Sequence, residues 1–408
     1  MVPTAKEPGA PRSFVLLLSV TCAVTVANLY YLQPLLGTIA ADLRTDESSV
    51  GFVSGVLQLG YAAGLLLIVP LGDIVTRRRL VPGLLAVDAV ALAAMALAPS
   101  LAVLGIAAVA VGVSSVAVQI LVPYAATVAT EGQRNRVLSA LLSAMLLGVL
   151  LSRVVAGLVA EAFGWRGIFA VGAGAMVVAA VTMWRTLDRA SGEVSIGYVE
   201  QMRAIVELVR REPVLRRRSL VGAGVYGAFN VLWTTIAFLL AFPPFGFTEA
   251  GIGVFALVGV AGVAGAYFTG RLIPARHNQR ATGICLGALV LSFVVLVAGP
   301  GALAVVILGV LVLDAAVQAV HLLNQNTIYA LRAGARARIT TVYMTSYFVG
   351  GAAGSALGAA AYAAGGWPMA CATGGAFAAV ALAAWAWDTS RSSLPRAVPA
   401  PPTPGARK

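Results

Sequence analysis

The sequence predicts an all-α membrane protein with twelve transmembrane helices in two pseudo-symmetric six-helix bundles. Three observations predict this fold: the apolar composition, the regular spacing of long apolar segments, and an internal repeat. Of the 408 residues, 60% are apolar and only 11% are charged, whereas soluble domains carry about 25% charged residues. So little charge cannot cover a surface that faces water, so lipid must be the main solvent of this chain.

The apolar segments have the length that a membrane span needs. A bilayer core of about 30 Å requires about 20 apolar residues in helical conformation. By this criterion the predicted spans are 13–37, 48–71, 80–98, 101–128, 137–160, 166–186, 219–243, 249–270, 280–299, 301–330, 338–363 and 367–387. Residues 1–186 and 219–388 then form the two bundles. Residues 187–218 form a cytoplasmic amphipathic linker, and the proline-rich residues 389–408 form a disordered cytoplasmic tail.

The basic residues predict the orientation in the membrane. Of the 28 Lys and Arg residues, 25 lie before the first span, in alternate loops, in the linker or in the tail. Only Arg44 and Arg166 fall on the other side, and Arg153 falls within a span. The positive-inside rule therefore places both termini in the cytoplasm. The composition, rich in Arg, Ala and Gly, suggests a bacterial cell membrane, and the net charge of +12 reflects topology and not nucleic-acid binding.

The chain repeats itself at an offset of about 202 residues. Gly132–Val137 matches Gly334–Ile339, Asn28 falls on Asn230, and Trp165 falls on Trp367. Two six-helix halves related by a parallel repeat are a known transporter plan, in which the substrate site lies between the halves near the bilayer midplane.

One loop carries a resemblance to a known family. The loop after the second span, Val69–Arg79, resembles the signature loop of the major facilitator superfamily, Gly-x-Leu-Ala-Asp-Arg-x-Gly-Arg-Arg, with Asp73, Arg77 and Arg78 at the matching charged positions. The sequence departs from that signature at Val69, Gly72, Ile74 and Thr76. The resemblance implies that Asp73, Arg77 and Arg78 form a cytoplasmic gating latch between the halves.

Span 5 resembles a second signature of the same family. Gly148–Gly157 is similar to the antiporter motif Gly-xxx-Gly-Pro-xx-Gly-Gly, although Ser152 and Arg153 stand at its central Gly-Pro. The stretches Asn28–Leu36 and Asn324–Asn326 resemble a bacterial efflux branch of the family. These resemblances imply export of a drug or metabolite in exchange for protons.

Span 10 carries a stripe of polar residues. Asp314, Gln318, His321 and Gln325 follow the spacing i, i+4, i+7 and i+11, so they share one face of a helix. An ionised Asp in mid-bilayer costs about 3 kcal/mol on insertion scales. The functional interpretation is that Asp314 binds a proton while Gln318, His321 and Gln325 contact substrate. The alternative is a buried, hydrogen-bonded seam between helices.

Arg153 is the one basic residue deep within a predicted span, and it cannot release its proton. It could couple protonation to transport by pairing with Asp314 in one conformation only. It could also hold an anionic group of the substrate, or form a fixed salt bridge between helices.

The resemblance also places spans 1, 4, 7 and 10 around a central cavity. Further substrate contacts are expected from Asn28, Tyr31, Gln119, Asn230 and Trp233. Asp88 lies in span 3, which is peripheral in that fold, so a hydrogen bond between packed helices is the favoured interpretation for its side chain.

Several other functions are excluded or disfavoured. Neither of the two lysines follows a glycine, so there is no phosphate-binding loop. His277 and His321 are too far apart in sequence to predict a metal site, and no nucleophile with a base partner is recognisable, so we expect neither an enzyme nor a cofactor. We therefore predict a monomeric transporter that exports a small organic molecule in exchange for protons. Proton-coupled uptake of a metabolite and a non-transport role as sensor or scaffold are the alternatives.

Overall fold

The computed structural model describes residues 11–187, 197–272, 274, 277–332 and 335–392, and these residues are almost entirely helical. The helices are α1 Arg12–Ala27, α2 Leu36–Asp42, α3 Glu47–Leu67, α4 Arg77–Ala96, α5 Leu101–Ser114, α6 Ala117–Val128, α7 Glu131–Phe163, α8 Trp165–Thr186, α9 Tyr198–Arg211, α10 Pro213–Ala241, α11 Glu249–Phe255, α12 Val260–Leu272, α13 Asn278–Val297, α14 Leu303–Tyr329 and α15 Arg336–Ser392. The all-α prediction is therefore confirmed.

Ten helices of the described chain are long and apolar enough to cross a membrane, with α5–α6 and α11–α12 each counted as one. The shorter apolar helix α1 continues through the 3₁₀ turn Gln33–Leu35 into α2. Helix α15 is interrupted at Gly365 and Gly366, where Gly366 has φ 64°, a conformation that favours glycine. The break falls between predicted spans 11 and 12, and the number twelve stays a prediction.

The helices pack in two groups, called here the first half (α1–α8) and the second half (α10–α15). In the first half α3 packs on α5, α4 on α8 and α1 on α7; in the second, α10 packs on α15 and α14 on α12 and α13. The closest crossings use glycine. A Cβ on Gly112 would lie 2.7 Å from the backbone nitrogen of Tyr61, so α5 and α3 touch through their backbones.

The outer surface suits a lipid environment. Large apolar side chains are exposed along the spans, among them Val90, Ile106 and Ile284. Because a soluble protein rarely exposes a large contiguous apolar surface, we infer that lipid covers these exposed side chains. The C-terminal end of α3, the turn that follows it and the start of α15 lie together at one end of the bundle, called here the basic end because Arg77, Arg78, Arg79, Arg336 and Arg338 are there.

Helix α9 lies within the predicted linker. Gln201, Ile205 and Leu208 are buried against the bundle, while Val199 and Val206 are exposed. Linker residues 188–196 and the tail residues 393–408 fall outside the described chain, and residues 213–218 of the predicted linker belong to helix α10. Helix α15 extends four residues beyond the predicted boundary at 388. Whether α9 rests on a membrane surface stays a prediction.

Asp46 begins α3 at the opposite end of the bundle. Its carboxylate accepts hydrogen bonds from the backbone nitrogen of Ser49 at 2.8 Å and from the hydroxyls of Ser48 and Ser49. These bonds favour the ionised form and lower the pKa of Asp46 to about 2. The stabilisation by this cap is complete above the ordinary pKa near 4 and is lost only as the pH falls through about 2. A loss of stability at a milder acidic pH would therefore not be caused by protonation of Asp46.

Candidate functional site

The two halves are in contact at the end opposite the basic end. The hydroxyl of Thr38 donates to Glu249 Oε1 at 2.7 Å, and the backbone nitrogen of Ala250 donates to Glu161 Oε2 at 3.2 Å. Gly157 of α7 and Gly253 of α11 bring the two helix backbones together at the same crossing. We call this contact the outer closure.

A cavity of about 360 Å³ lies between the halves at the basic end. Its walls come from the C-terminal end of α3 and the turn after it, from the first part of α6, from α9, and from the segment that begins α15. Two of the predicted site residues, Gln119 and Arg77, line this cavity. The interface between the halves is thus open at one end and closed at the other.

Five aromatic side chains, called here the aromatic layer, lead from this cavity into the interface: Tyr30, Tyr61, Tyr226, Tyr347 and Phe348. The amide of Gln119 donates to Tyr61 Oη at 3.0 Å, and the Tyr61 ring lies 4.3 Å from that of Phe348. Tyr226 stacks on Tyr347 at 4.0 Å, and its hydroxyl lies 3.3 Å from the hydroxyl of Tyr30. Rings from both halves therefore pack together beyond the cavity.

Beyond the aromatic layer, Arg153 and Asp314 both contact Trp233. The guanidinium carbon of Arg153 is 4.3 Å from the Trp233 ring centre, and the indole Nε1 donates to Asp314 Oδ1 at 3.2 Å. Both charged residues are 3% exposed. Arg153 comes from the first half, and Trp233 and Asp314 come from the second. We call these three residues the Arg–Trp–Asp bridge.

The guanidinium of Arg153 is incompletely paired. Its Nε donates to Gln33 Oε1 at 2.8 Å, and its carbon lies 4.9 Å from the ring centre of Tyr30, but its Nη2 has no hydrogen-bond partner. None of the ion pairs formed by the described residues includes Arg153 or Asp314. A void of only about 10 Å³ adjoins Arg153, Gln33 and Trp233. The direct pair considered from the sequence is therefore absent in this conformation.

The other polar residues of α14 face neighbouring helices and do not line the large cavity. Gln318 packs against Gly262 of α12. The ring of His321 lies 4.8 Å from that of Tyr347, and its Nδ1 is 3.3 Å from Tyr343 Oη. Gln325 is half-buried. The stripe thus has one end at the Arg–Trp–Asp bridge and continues beside the aromatic layer.

The predicted residues of α1 and the turn that follows it lie inside the first half. Asn28 donates to Asp88 Oδ2 at 2.9 Å, and Ser115 donates to the same oxygen at 3.3 Å. Tyr31 packs against Gly172 of α8. In this conformation Asn28 and Tyr31 are directed away from the interface, and Asp88 makes the hydrogen bond between packed helices that the sequence favoured.

The equivalent residue in the second half has a different partner. Asn230 accepts a hydrogen bond from Gln58 Nε2 at 2.7 Å, which links α10 to α3 across the interface, and it donates to the Tyr226 carbonyl at 2.9 Å. The two asparagines related by the repeat therefore differ in role. One joins helices within a half, and the other joins the halves.

The structure describes the two arginines of the predicted latch but not the side chain of its acidic residue. The guanidinium carbon of Arg77 lies 5.4 Å from the Tyr124 ring centre, and Arg77 lines the large cavity. Arg78 follows it in the first turn of α4. The side chain of Asp73 lies outside the described part of the chain, so the latch stays a prediction.

Sequence reasoning missed several residues of the interface. Gln33, Gln58 and Tyr61 were not predicted, and neither were Tyr347 and Phe348. The i, i+4 spacing of Tyr343 and Tyr347 in α15 was a usable signal, because it places two rings on one face beside α14. Gln33 had no such signal, since it lies in a 3₁₀ turn that breaks the helical periodicity.

The comparisons with known proteins agree with one another. The family model described as Major Facilitator Superfamily matches residues 17–355. The chain is 41% identical over 373 residues to the putative uncharacterized transporter YgaY of Escherichia coli K12, covering 91% of this chain and 95% of that protein. It is 36% identical over 385 residues to the probable transporter SCO4007 of Streptomyces coelicolor, covering 92% and 88%.

Solved structures share the fold at low sequence identity. A bacterial homologue of the human lysosomal transporter Spinster, in an inward-facing and occupied conformation, matches with a TM-score of 0.75 at 15% identity, covering 95% of this chain and 98% of that one. The human organic anion transporter MFSD10 matches with a TM-score of 0.64 at 16% identity, covering 92% and 100%. At these identities the likeness establishes the fold alone.

Proposed function

The chain belongs to the Major Facilitator Superfamily, and on that premise we propose that this membrane transporter exports a small organic molecule in exchange for protons by alternating access. The observation that carries the proposal is the Arg–Trp–Asp bridge. It brings two oppositely charged side chains from different halves into contact with one indole ring, where both are buried and form no direct ion pair.

The proposed topology has twelve spans with both termini in the cytoplasm. Ten spans are present by length and composition, the break in α15 adds an eleventh, and Arg12–Asp42 adds a twelfth. The basic end then faces the cytoplasm by the positive-inside rule. The cavity at the basic end and the outer closure make this an inward-facing conformation. The Spinster homologue, also inward-facing, has the same fold.

In the proposed cycle Asp314 carries the proton. When Asp314 is ionised, its carboxylate attracts Arg153 across the Trp233 ring and holds the halves together. Protonation removes that attraction, because a neutral acid interacts only weakly with a guanidinium. A substrate that binds the carboxylate needs its ionised form, so substrate and proton exclude each other at Asp314. Mutual exclusion at one group is what an exchange mechanism requires.

The substrate enters through the cytoplasmic cavity in this proposal. Gln119 is the polar contact at its wall, and the aromatic layer offers flat apolar faces to an aromatic or otherwise apolar ligand. His321, Gln318 and Gln325 on α14, with Asn230, become contacts when the halves separate. Asn28 and Tyr31 are left out of the proposed site because they lie within the first half.

Replacing Trp233 with phenylalanine tests the bridge. The substitution keeps a ring beside Arg153 and removes the hydrogen bond to Asp314, and an unsatisfied buried acceptor costs about 1–3 kcal/mol. We expect proton-coupled exchange in proteoliposomes to slow by about tenfold. Trp165→Phe is the matched control, because Trp165 makes the same kind of bond to the exposed Asp42. Equal effects of the two substitutions would remove Trp233 from the mechanism.

The direction of transport is tested in cells. If the protein exports, its deletion lowers the minimum inhibitory concentration of at least one toxic organic compound, and a protonophore abolishes the protection. Deletion that instead prevents growth on a single nutrient, with no change in resistance, contradicts export.

One observation favours a second candidate function. The unpaired Nη2 of Arg153 could receive the carboxylate of an organic acid. Such an anion would bind best when Asp314 is protonated, so proton and substrate would move together, as in uptake. The growth phenotype above separates this candidate from export.

A further inference from the structure

The surroundings of Arg153 are those of a binding site for an organic cation. Two aromatic faces, Tyr30 at 4.9 Å and Trp233 at 4.3 Å, flank the guanidinium carbon. The Asp314 carboxylate lies at the Nε1 edge of the Trp233 ring. Aromatic faces with a nearby carboxylate are how proteins recognise guanidinium and quaternary ammonium groups. In this conformation, the cation in that position is a side chain of the protein itself.

A second triad of the same residue types shows how a structural Arg–Trp–Asp group is built. Arg166 lies 4.1 Å from the Trp165 ring centre, and Trp165 Nε1 donates to Asp42 Oδ2 at 3.1 Å. There the guanidinium also reaches the same carboxylate oxygen at 2.6 Å. These bonds, that from Arg166 first, hold the pKa of the exposed Asp42 below its ordinary value. In the buried triad the guanidinium makes no ion pair, although an unpaired buried charge is much more costly than an exposed one.

Arg153 is therefore weakly held where it is. Among the described residues, its guanidinium forms one hydrogen bond, to Gln33, and its Nη2 has no partner. Gly157, one turn after Arg153 on α7, packs against the backbone of Glu249, and the Arg153 carbonyl lies against Gly253 of α11. Opening of the outer closure therefore separates α7 from α11 directly beside Arg153.

We propose that Arg153 is an internal occupant of a site for planar organic cations, and that the transported substrate is an aromatic cation that displaces it from between Tyr30 and Trp233. This inference rests on the proposed export function and names its substrate class. The cation and the proton compete for Asp314, as exchange requires. After the substrate is released, Arg153 returns to the site, so the Asp314 carboxylate is not left without a cation inside the bilayer.

The test is a binding measurement that involves neither a membrane nor a gradient. Ethidium, a planar aromatic cation, is titrated against purified protein in detergent at alkaline pH, with binding followed by fluorescence anisotropy. Because a tethered competitor is removed, Arg153→Gln should bind ethidium about tenfold more tightly than the wild type, a difference of about 1.4 kcal/mol. Arg153→Lys keeps the positive charge and should stay near the wild-type affinity. Arg166→Gln is the matched control at the surface triad and should leave binding unchanged.

The outcomes separate the alternatives. Equal or weaker ethidium binding by Arg153→Gln, or no binding by any of these proteins, overturns the proposal. Naphthoate binding by the wild type that is lost in Arg153→Gln overturns it in favour of an anion site. Misfolding is excluded as the cause of any lost ligand binding if the variants elute normally in gel filtration and Arg153→Lys binds like the wild type. If ethidium binding follows the expected pattern but proteoliposomes show no proton exchange, the cation site stands and the proposed coupling fails.

Discussion

Asp314→Asn is expected to abolish proton-coupled exchange while leaving the protein folded. Asparagine keeps the size of the side chain and can still accept the hydrogen bond from Trp233 Nε1, so the packing around α14 is preserved. It cannot bind or release a proton and carries no charge to attract Arg153. The variant therefore has one charge state where the wild type has a protonated and an ionised state. A proton gradient can then no longer drive the transport cycle through this residue.

The measurement is exchange in proteoliposomes, with a compound against which the protein protects cells and a pH-sensitive dye inside the vesicles. In Asp314→Asn the dye response should fall to that of empty liposomes. Asp88→Asn is the matched control, because Asp88 is also a buried carboxyl within a span and accepts a hydrogen bond from Asn28 inside the first half. Its variant should keep proton-coupled exchange. Exchange by Asp314→Asn at the wild-type rate would refute the proton role of this residue.

Much of the fold followed from the sequence because membrane spans obey a simple requirement. A helix in lipid satisfies its own backbone hydrogen bonds, so apolar length alone locates it. The break at Gly365 and Gly366 was anticipated because the apolar stretch was too long for one span. Break points within single spans, such as that between α5 and α6, were not predicted, since they leave the apolar composition unchanged.

The candidate site was only partly accessible by the same reasoning. Periodicity identified the shared face of Asp314 and Gln318, but the rotation of α14 about its axis is set by packing against Gly259 and Gly262 of the α11–α12 span. Periodicity could not reveal that Asp314 and Arg153 both contact Trp233. Such an arrangement depends on two helices from different halves, and no local pattern encodes their relative position.

The two positions that the sequence repeat relates, Asn28 and Asn230, have different roles. The partner of Asn28 is Asp88, and the residue at the corresponding offset in the second half is Val290, which has no carboxyl. Asn230 accepts its hydrogen bond from Gln58 of the other half. A sequence repeat therefore does not predict whether a polar residue bonds within a half or across the interface.

The outer closure gives the second large expected effect, with Gly253→Val. A Cβ on Gly253 would lie 2.6 Å from the carbonyl oxygen of Arg153 and 3.3 Å from the Cα of Gly157, so α11 and α7 could not approach as closely as they do. Overpacking of this kind costs about 1–3 kcal/mol. Only the closed outer end contains this contact, so the equilibrium should shift toward the outward-open state by about ten- to a hundredfold.

Cross-linking measures that shift. Thr38 and Glu249 meet across the closure through a hydrogen bond of 2.7 Å between their side chains, so cysteines at these two positions, with the native cysteines replaced, should be joined by a short thiol-reactive bifunctional cross-linker in the closed state. Adding Gly253→Val should lower the cross-linking yield and slow transport, because the cycle must pass through the closed outer end. Gly174→Val introduces the same side chain in α8, where a Cβ meets no atom within 4 Å, and should change neither quantity. An undiminished yield in the Gly253 variant would mean that the halves do not separate at this crossing, and alternating access would then need a different hinge.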